Sequence, residues 1–121
     1  MDASPVEAWL QGYVRAWDSN DPEHIGRLFT DDAVYYTAPF RKPWRGRDAI
    51  VQGWIDRKDE QGDWTFRHEV LGIDGDVAFV RGWTGYKTDS DYSNLWVIRL
   101  ADDGRASEFI EWWMPEETPT S

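Results

Sequence analysis

No cysteine occurs among the 121 residues, which excludes disulfides, thiolate nucleophiles and thiolate metal ligands. Histidine is almost as scarce: His24 and His68 are the only two, and they lie far apart in the chain. They offer no spacing for zinc. Asp89-Ser90-Asp91 lacks the glycine and distal glutamate of a calcium loop. There is no Gly-rich phosphate loop or dinucleotide fingerprint, and no Gly-x-Ser-x-Gly nucleophile motif. The expectation is that neither a metal nor a cofactor is used. No apolar run approaches the roughly 20 residues of a membrane span. The opening MDASPVEAW has neither the basic region nor the apolar core of a secretion signal, so a cytoplasmic protein is expected. Basic residues are also few. Thirteen Lys and Arg face 23 Asp and Glu, for a net charge of −10, which argues against nucleic acid and against anionic membranes.

What the chain has in excess is aromatic side chains, with nine Trp, five Tyr and five Phe. They serve either to fill a small core or to line a cavity for a ligand. The length predicts a single domain over residues 1–121, ordered over about 3–114, with an acidic tail. A chain of this size buries about two-thirds of its unfolded surface.

Ser4-Pro5-Val6-Glu7 carries an N-cap, a first-turn proline and the acid of a capping box. Val6, Trp9, Leu10, Tyr13, Val14 and Trp17 then form one apolar stripe at helical spacing. Asp21-Pro22-Glu23 starts a second helix with Ile25, Leu28 and Phe29 on its apolar face, ended by Asp31-Asp32. Ala33–Ala38 predicts a short strand and Phe40–Arg45 a loop with solvated cations. A third helix begins at Gly46-Arg47-Asp48, with Ile50, Val51, Trp54 and Ile55 on one side, and runs out by Gly62. After it the period changes to two. Trp64–Ile73 and Val77–Tyr86 are strands joined by an Asp74-Gly75 turn, and Tyr92–Met114 is a long hairpin around Asp-Asp-Gly-Arg. The order α-α-β-α-β-β-β-β predicts an α+β fold: a cone-shaped, curved antiparallel sheet covered by three helices, with a pocket on its concave face.

The hairpin holds the candidate chemistry. Alternation puts Asn94 and Glu111 on the face that also carries Trp96, Phe109 and Trp113. A carboxylate hemmed by Trp113 and Phe109 is expected to have its pKa raised by desolvation, and to act as an acid or base. The alternative is that Glu111 accepts a hydrogen bond from Tyr13, Tyr35 or Arg81 and only orders the cup. His68 shares a face with Trp64, Phe66 and Val70. Facing inward it serves as a proton shuttle to Glu111 or a ligand; facing outward it is an ordinary sheet histidine. Tyr13 is either an oxyanion-type donor or a core tyrosine bonded to a backbone group or Glu111. Trp17, Trp54, Trp96 and Trp113 are expected as walls, and Asn94 as a group that holds a ligand oxygen by its amide.

The element order, with YVRAWDSNDPEHIGRLFTDDAVYY, GRDAI and DGRASEFIEWW, resembles the SnoaL-like branch of the nuclear-transport-factor-2-like superfamily. The resemblance covers Ala3 to Met114 and implies the cone fold, back-to-back homodimers and a small apolar or aromatic ligand. The activities it implies are cofactor-independent isomerisation, cyclisation, dehydration or epoxide opening, or plain binding or dimerisation without catalysis. Against the ketosteroid isomerases of this superfamily, Tyr13, eight positions before Asp21, matches the oxyanion tyrosine. Trp54 and Trp113 match pocket residues. The general base falls on Thr37 or Ala38 and the second oxyanion donor on Trp96. Without that base, proton abstraction beside a carbonyl has no agent at the usual place, which argues against steroid isomerisation. Arg81 with Glu111 would supply part of an epoxide-hydrolase network.

Overall fold

The computed structural model describes residues 4–56, 64–86 and 91–115. Helix α1 (Ser4–Ser19) buries most of the stripe read from its spacing: Val6, Trp9, Leu10, Tyr13 and Trp17 are buried, with Ala16 between them, while Val14 is half-buried. Each such large side chain contributes about 1.5–3 kcal/mol on burial. The helix stops because Asn20 turns left-handed at φ 53°, which asparagine tolerates better than most residues. Its N–H closes the last turn on Ala16 O at 2.8 Å. Asp21 then caps α2 (Pro22–Gly26), its carboxylate accepting from the Glu23 N–H at 2.9 Å.

The chain leaves the helix sooner than its apolar spacing predicts. α2 is five residues long, and Phe29 opens strand β1 (Phe29–Tyr36) rather than closing a helical face. The reason is tertiary: Phe29 pairs with Ala106, and the Ala106 N–H donates to Leu28 O at 2.7 Å. The expected Phe40–Arg45 loop also changes at its end. Trp44–Arg45 forms β2, paired antiparallel with Tyr35 and Val34. Helix α3 (Arg47–Asp56) buries Ile50 and Trp54; the expected continuation to Gly62 lies outside the described residues, as do most of the Lys87–Asp91 turn and the acidic tail.

The remaining strands are β3 (Trp64–Asp74), β4 (Val77–Tyr86), β5 (Tyr92–Leu100) and β6 (Ala106–Pro115). Gly75 at φ 61° and Gly104 at φ 87° make the left-handed turns between the paired arms. The six strands run in the order β2-β1-β6-β5-β4-β3. The β1–β6 pair is parallel and the other pairs are antiparallel. This is the α+β cone expected from the element order, with one more strand.

Helix α1 settles which face of the sheet is the inside. Trp17 stacks on Trp64 of β3 at 3.9 Å, Tyr13 lies 4.6 Å from Trp96 of β5, and Trp9 lies 5.4 Å from Phe109 of β6. Inward parity on β3 therefore belongs to Trp64, Phe66, His68 and Val70, and outward parity to Thr65, Arg67 and Glu69. The missing side chain of Gly82 lets Phe66 lie flat on β4, where a Cβ would come within 2.6 Å of the Phe66 ring. Phe66 in turn stacks on Trp96 at 5.0 Å and 17°. Gly82→Ala is expected to displace that stack and destabilise the fold by about 1–3 kcal/mol, as measured by chemical denaturation.

Candidate functional site

The β5–β6 register builds the site. Trp96 stands opposite Glu111, Asn94 opposite Trp113 and Ile98 opposite Phe109, so the two polar groups of the hairpin share the inner face with its aromatics. Over that face, Glu111 Oε2 accepts from the Tyr35 hydroxyl at 2.7 Å and from the Tyr13 hydroxyl at 3.3 Å. The two hydroxyls are 3.2 Å apart. One carboxylate oxygen and two phenols thus form one cluster. Both phenols are pushed well above their usual pKa of 10.0, first by burial and then by the negative charge of Glu111. They stay protonated and act as donors, with Glu111 as the acceptor.

The other candidate residues divide into two groups. Trp54, Trp96 and Phe109 surround the Tyr13 ring at 4.9, 4.6 and 5.5 Å, and Trp17 meets it edge-on at 6.0 Å. These pack as one buried aromatic cluster around Tyr13. The rest make partners of their own. Asn94 accepts from the Thr84 hydroxyl at 2.7 Å. Trp113 donates to Thr37 O at 2.9 Å, with the Arg41 guanidinium 5.7 Å above its ring. His68 faces inward, stacked beside Phe66 at 5.8 Å, but its Nε2 lies 3.3 Å from Glu7 Oε2 of α1 rather than on Glu111. Arg81 is excluded from any network with Glu111. It points to the outer face, where it meets Glu69 at 3.5 Å and the Trp83 ring at 4.9 Å.

Tyr35 is the residue that sequence reasoning placed too low, as one of three possible partners for Glu111. It makes the shorter of the two bonds. The signal was the alternation in AVYYTA, where Ala33, Tyr35 and Thr37 are the buried positions. Glu7 was read only as a capping acid and Thr84 was not singled out, because the partner of each is recognised only across a helix–sheet or strand–strand contact. Among the described residues no three or more His, Cys, Asp or Glu side chains gather as a metal set, and no helix is long and apolar enough to cross a membrane.

A raised phenol pKa favours the folded state below the unfolded value, near pH ~10, and that contribution is lost as pH rises through the folded value. Alkaline titration followed by tyrosinate absorbance is expected to leave Tyr13 and Tyr35 un-ionised until the protein unfolds. Tyr35→Phe removes one donor to Glu111 at a cost of about 1–3 kcal/mol at neutral pH, and it is expected to flatten the loss of stability above pH ~10.

Residues 10–109 match the family described as the SnoaL-like domain. No curated protein matches the sequence. Among solved structures, a proposed ketosteroid isomerase from Kribbella flavida superposes with TM-score 0.73 at 19% identity, over 97% of this chain and 83% of that one. An NTF-2-like protein of unknown function from Burkholderia xenovorans gives 0.74 at 14%, over 95% and 88%. An LEH-like epoxide hydrolase from M. tuberculosis gives 0.62 at 17%, over 88% and 80%. At these identities the neighbours bear on the fold alone. The profile match over most of the chain shows that this protein belongs to the SnoaL-like domain family, and its fold is the one these structures share.

Proposed function

We propose that this protein binds an apolar or aromatic small molecule in its cup and exchanges a proton with it through Glu111, without a cofactor. The observation that carries this reading is a single carboxylate set into an aromatic wall, with Tyr35 and Tyr13 donating to one of its oxygens. A carboxylate held at that place is the kind of group that serves as a general base. Tyr13, in contact with both Glu111 and the Trp96 ring, would carry or orient that proton. Trp17, Trp54, Trp96 and Phe109 would hold the apolar skeleton. His68 is tied to Glu7 and is assigned a positioning role at α1 rather than the shuttle. The two named neighbour activities, ketosteroid isomerisation and epoxide hydrolysis, belong to those proteins. They nonetheless fit the same ligand class: apolar skeletons bearing an oxygen.

The test is a panel of aromatic and terpenoid ketones, alcohols and epoxides, followed by intrinsic tryptophan fluorescence and by turnover. Quenching by members of the panel is expected. Glu111→Gln keeps the shape, so binding should persist while any turnover falls by about 100-fold or more. Turnover unchanged in Glu111→Gln would remove the catalytic assignment.

The outer face supports a second proposal, that the protein forms a homodimer. Leu71, Phe79, Leu95, Trp112 and Met114 lie at 37–67% exposure on strands β3 to β6. Exposed apolar side chains gathered on one sheet face fit an association surface. Trp112→Glu is expected to turn a dimer into a monomer in sedimentation velocity. A wild-type chain that is already monomeric at micromolar concentration would rule the dimer out.

A further inference from the structure

Among the described residues, a cleft of about 520 Å³ lies between α2, α3 and the turn that leads into β6. Small-molecule sites commonly have this volume. The cleft shares no residue with the cluster of Tyr13, Tyr35 and Glu111. Gly26 keeps its floor low: a Cβ there would meet Arg47 Cδ at 3.7 Å and Val51 Cγ2 at 3.9 Å, and both of those residues line the cleft.

Its walls gather cations in a chain of net charge −10. Arg27 of α2, Arg47 of α3 and Arg105 before β6 converge on it from three elements. Two of them are aimed at one spot, since Arg47 Nη1 lies 2.9 Å and Arg105 Nη1 3.9 Å from the same Oδ1 of Asp31. The Asp31 side chain is 81% exposed. Arg27 reaches Glu23 at only 3.6 Å, with both side chains in water, and Arg105 also meets Asp103 at 2.7 Å. Exposed pairs of this kind contribute little, so they give way to a stronger anion, and each guanidinium has five N–H donors to offer. Glu23, Asp48 and Gln52 add acceptors to the same walls. Gln52 donates its amide N–H to Asp56 at 2.9 Å and keeps its amide oxygen.

We propose that this cleft binds a small sugar phosphate. A phosphate monoester carries about −1.5 to −2 charges near neutral pH and three strong acceptor oxygens, and guanidinium forks hold such a group bidentately. Arg47 and Arg105 take the phosphate in place of the Asp31 carboxylate, with Arg27 as the third cation. The acids on the walls narrow the class. Glu23 and Asp48 repel a bare anion, but with Gln52 they accept from hydroxyl groups, which a sugar supplies in number. Pro22 and Val51 offer apolar contact to its C–H faces. Salt screens the chain's overall charge beyond about 8 Å, so the local cations govern the site. The cleft and the cup are separate, and neither reading depends on the other.

Calorimetric titration of the full chain at fixed ionic strength tests this, with glucose 6-phosphate and ribose 5-phosphate set against the free sugars and inorganic phosphate. At least one sugar phosphate is expected to bind with Kd below about 1 mM, and about tenfold or more tighter than its sugar or phosphate alone. Arg47→Gln and Arg105→Gln should each weaken that binding about tenfold or more, as loss of a charged hydrogen bond does. Gly26→Leu keeps every charge but fills the floor, so it should abolish binding. Should that variant fold poorly, the two arginine variants decide the matter. No saturable binding of either sugar phosphate, an affinity no better than that of inorganic phosphate, or binding that survives both arginine substitutions overturns the assignment. Each of these outcomes leaves the reading of the cup untouched.

Discussion

The seat of Tyr13 on the inner face of the sheet is the contact on which the rest of this structure depends. Its ring meets Trp9 and Trp17 of its own helix, Trp54 of α3, and Trp96 and Phe109 of the hairpin. Its hydroxyl meets Tyr35 of β1 and Glu111 of β6. One side chain thus joins two helices to three strands, with dispersion along the ring and a hydrogen bond at the tip. A phenol suits that position because its body is apolar and only its end requires a polar partner. A phenylalanine would pack but leave Glu111 with one donor fewer. A charged residue would have to be desolvated among tryptophans.

The electrostatic consequence is local and one-signed. The protein carries a net charge of −10, yet the described part of the aromatic wall around Tyr13 holds Glu111 as its carboxylate, and the phenols that neighbour it are held protonated by burial and by that charge. The two hydroxyls that donate to that carboxylate keep it in place. The guanidiniums of β3 and β4 are elsewhere. Arg67 and Arg81 flank Trp83 on the outer face at 4.1 and 4.9 Å, where cation–π contact and water both stabilise them. Strand alternation separates these two environments by the thickness of one sheet. The inner face keeps one carboxylate among aromatic rings, and the outer face carries the guanidiniums.

Particular residues show how far the sequence could be read. The helical stripe from Val6 to Trp17 and the alternation of Tyr92–Met114 are local periodicities, and both survive intact in the fold. The pairing of Glu111 with a tyrosine was among the readings that the face assignment allowed. The end of α2 was not legible, because Ile25, Leu28 and Phe29 fit a helical face as well as a strand entry. The short β2 was hidden because a two-residue strand has no period to detect. Arg81 and Glu111 looked compatible until the hairpin register put them on opposite faces.

By itself, then, the sequence determined the quantities that depend on neighbours in the chain: the element order, the apolar faces, the sign of the charge, and the hairpin face on which Asn94, Trp96 and Glu111 gather. Only the tertiary structure decided which faces met. It turned the Trp64 parity of β3 inward, gave His68 to Glu7, brought Tyr35 to 2.7 Å from Glu111 and left the Trp96 indole without an acceptor among the described residues. The physical reason is that periodicity tells a side chain which way to point from its own backbone. Hydrogen-bond partners and burial depend on what lies opposite, and for these residues that partner is up to 98 positions away in the chain.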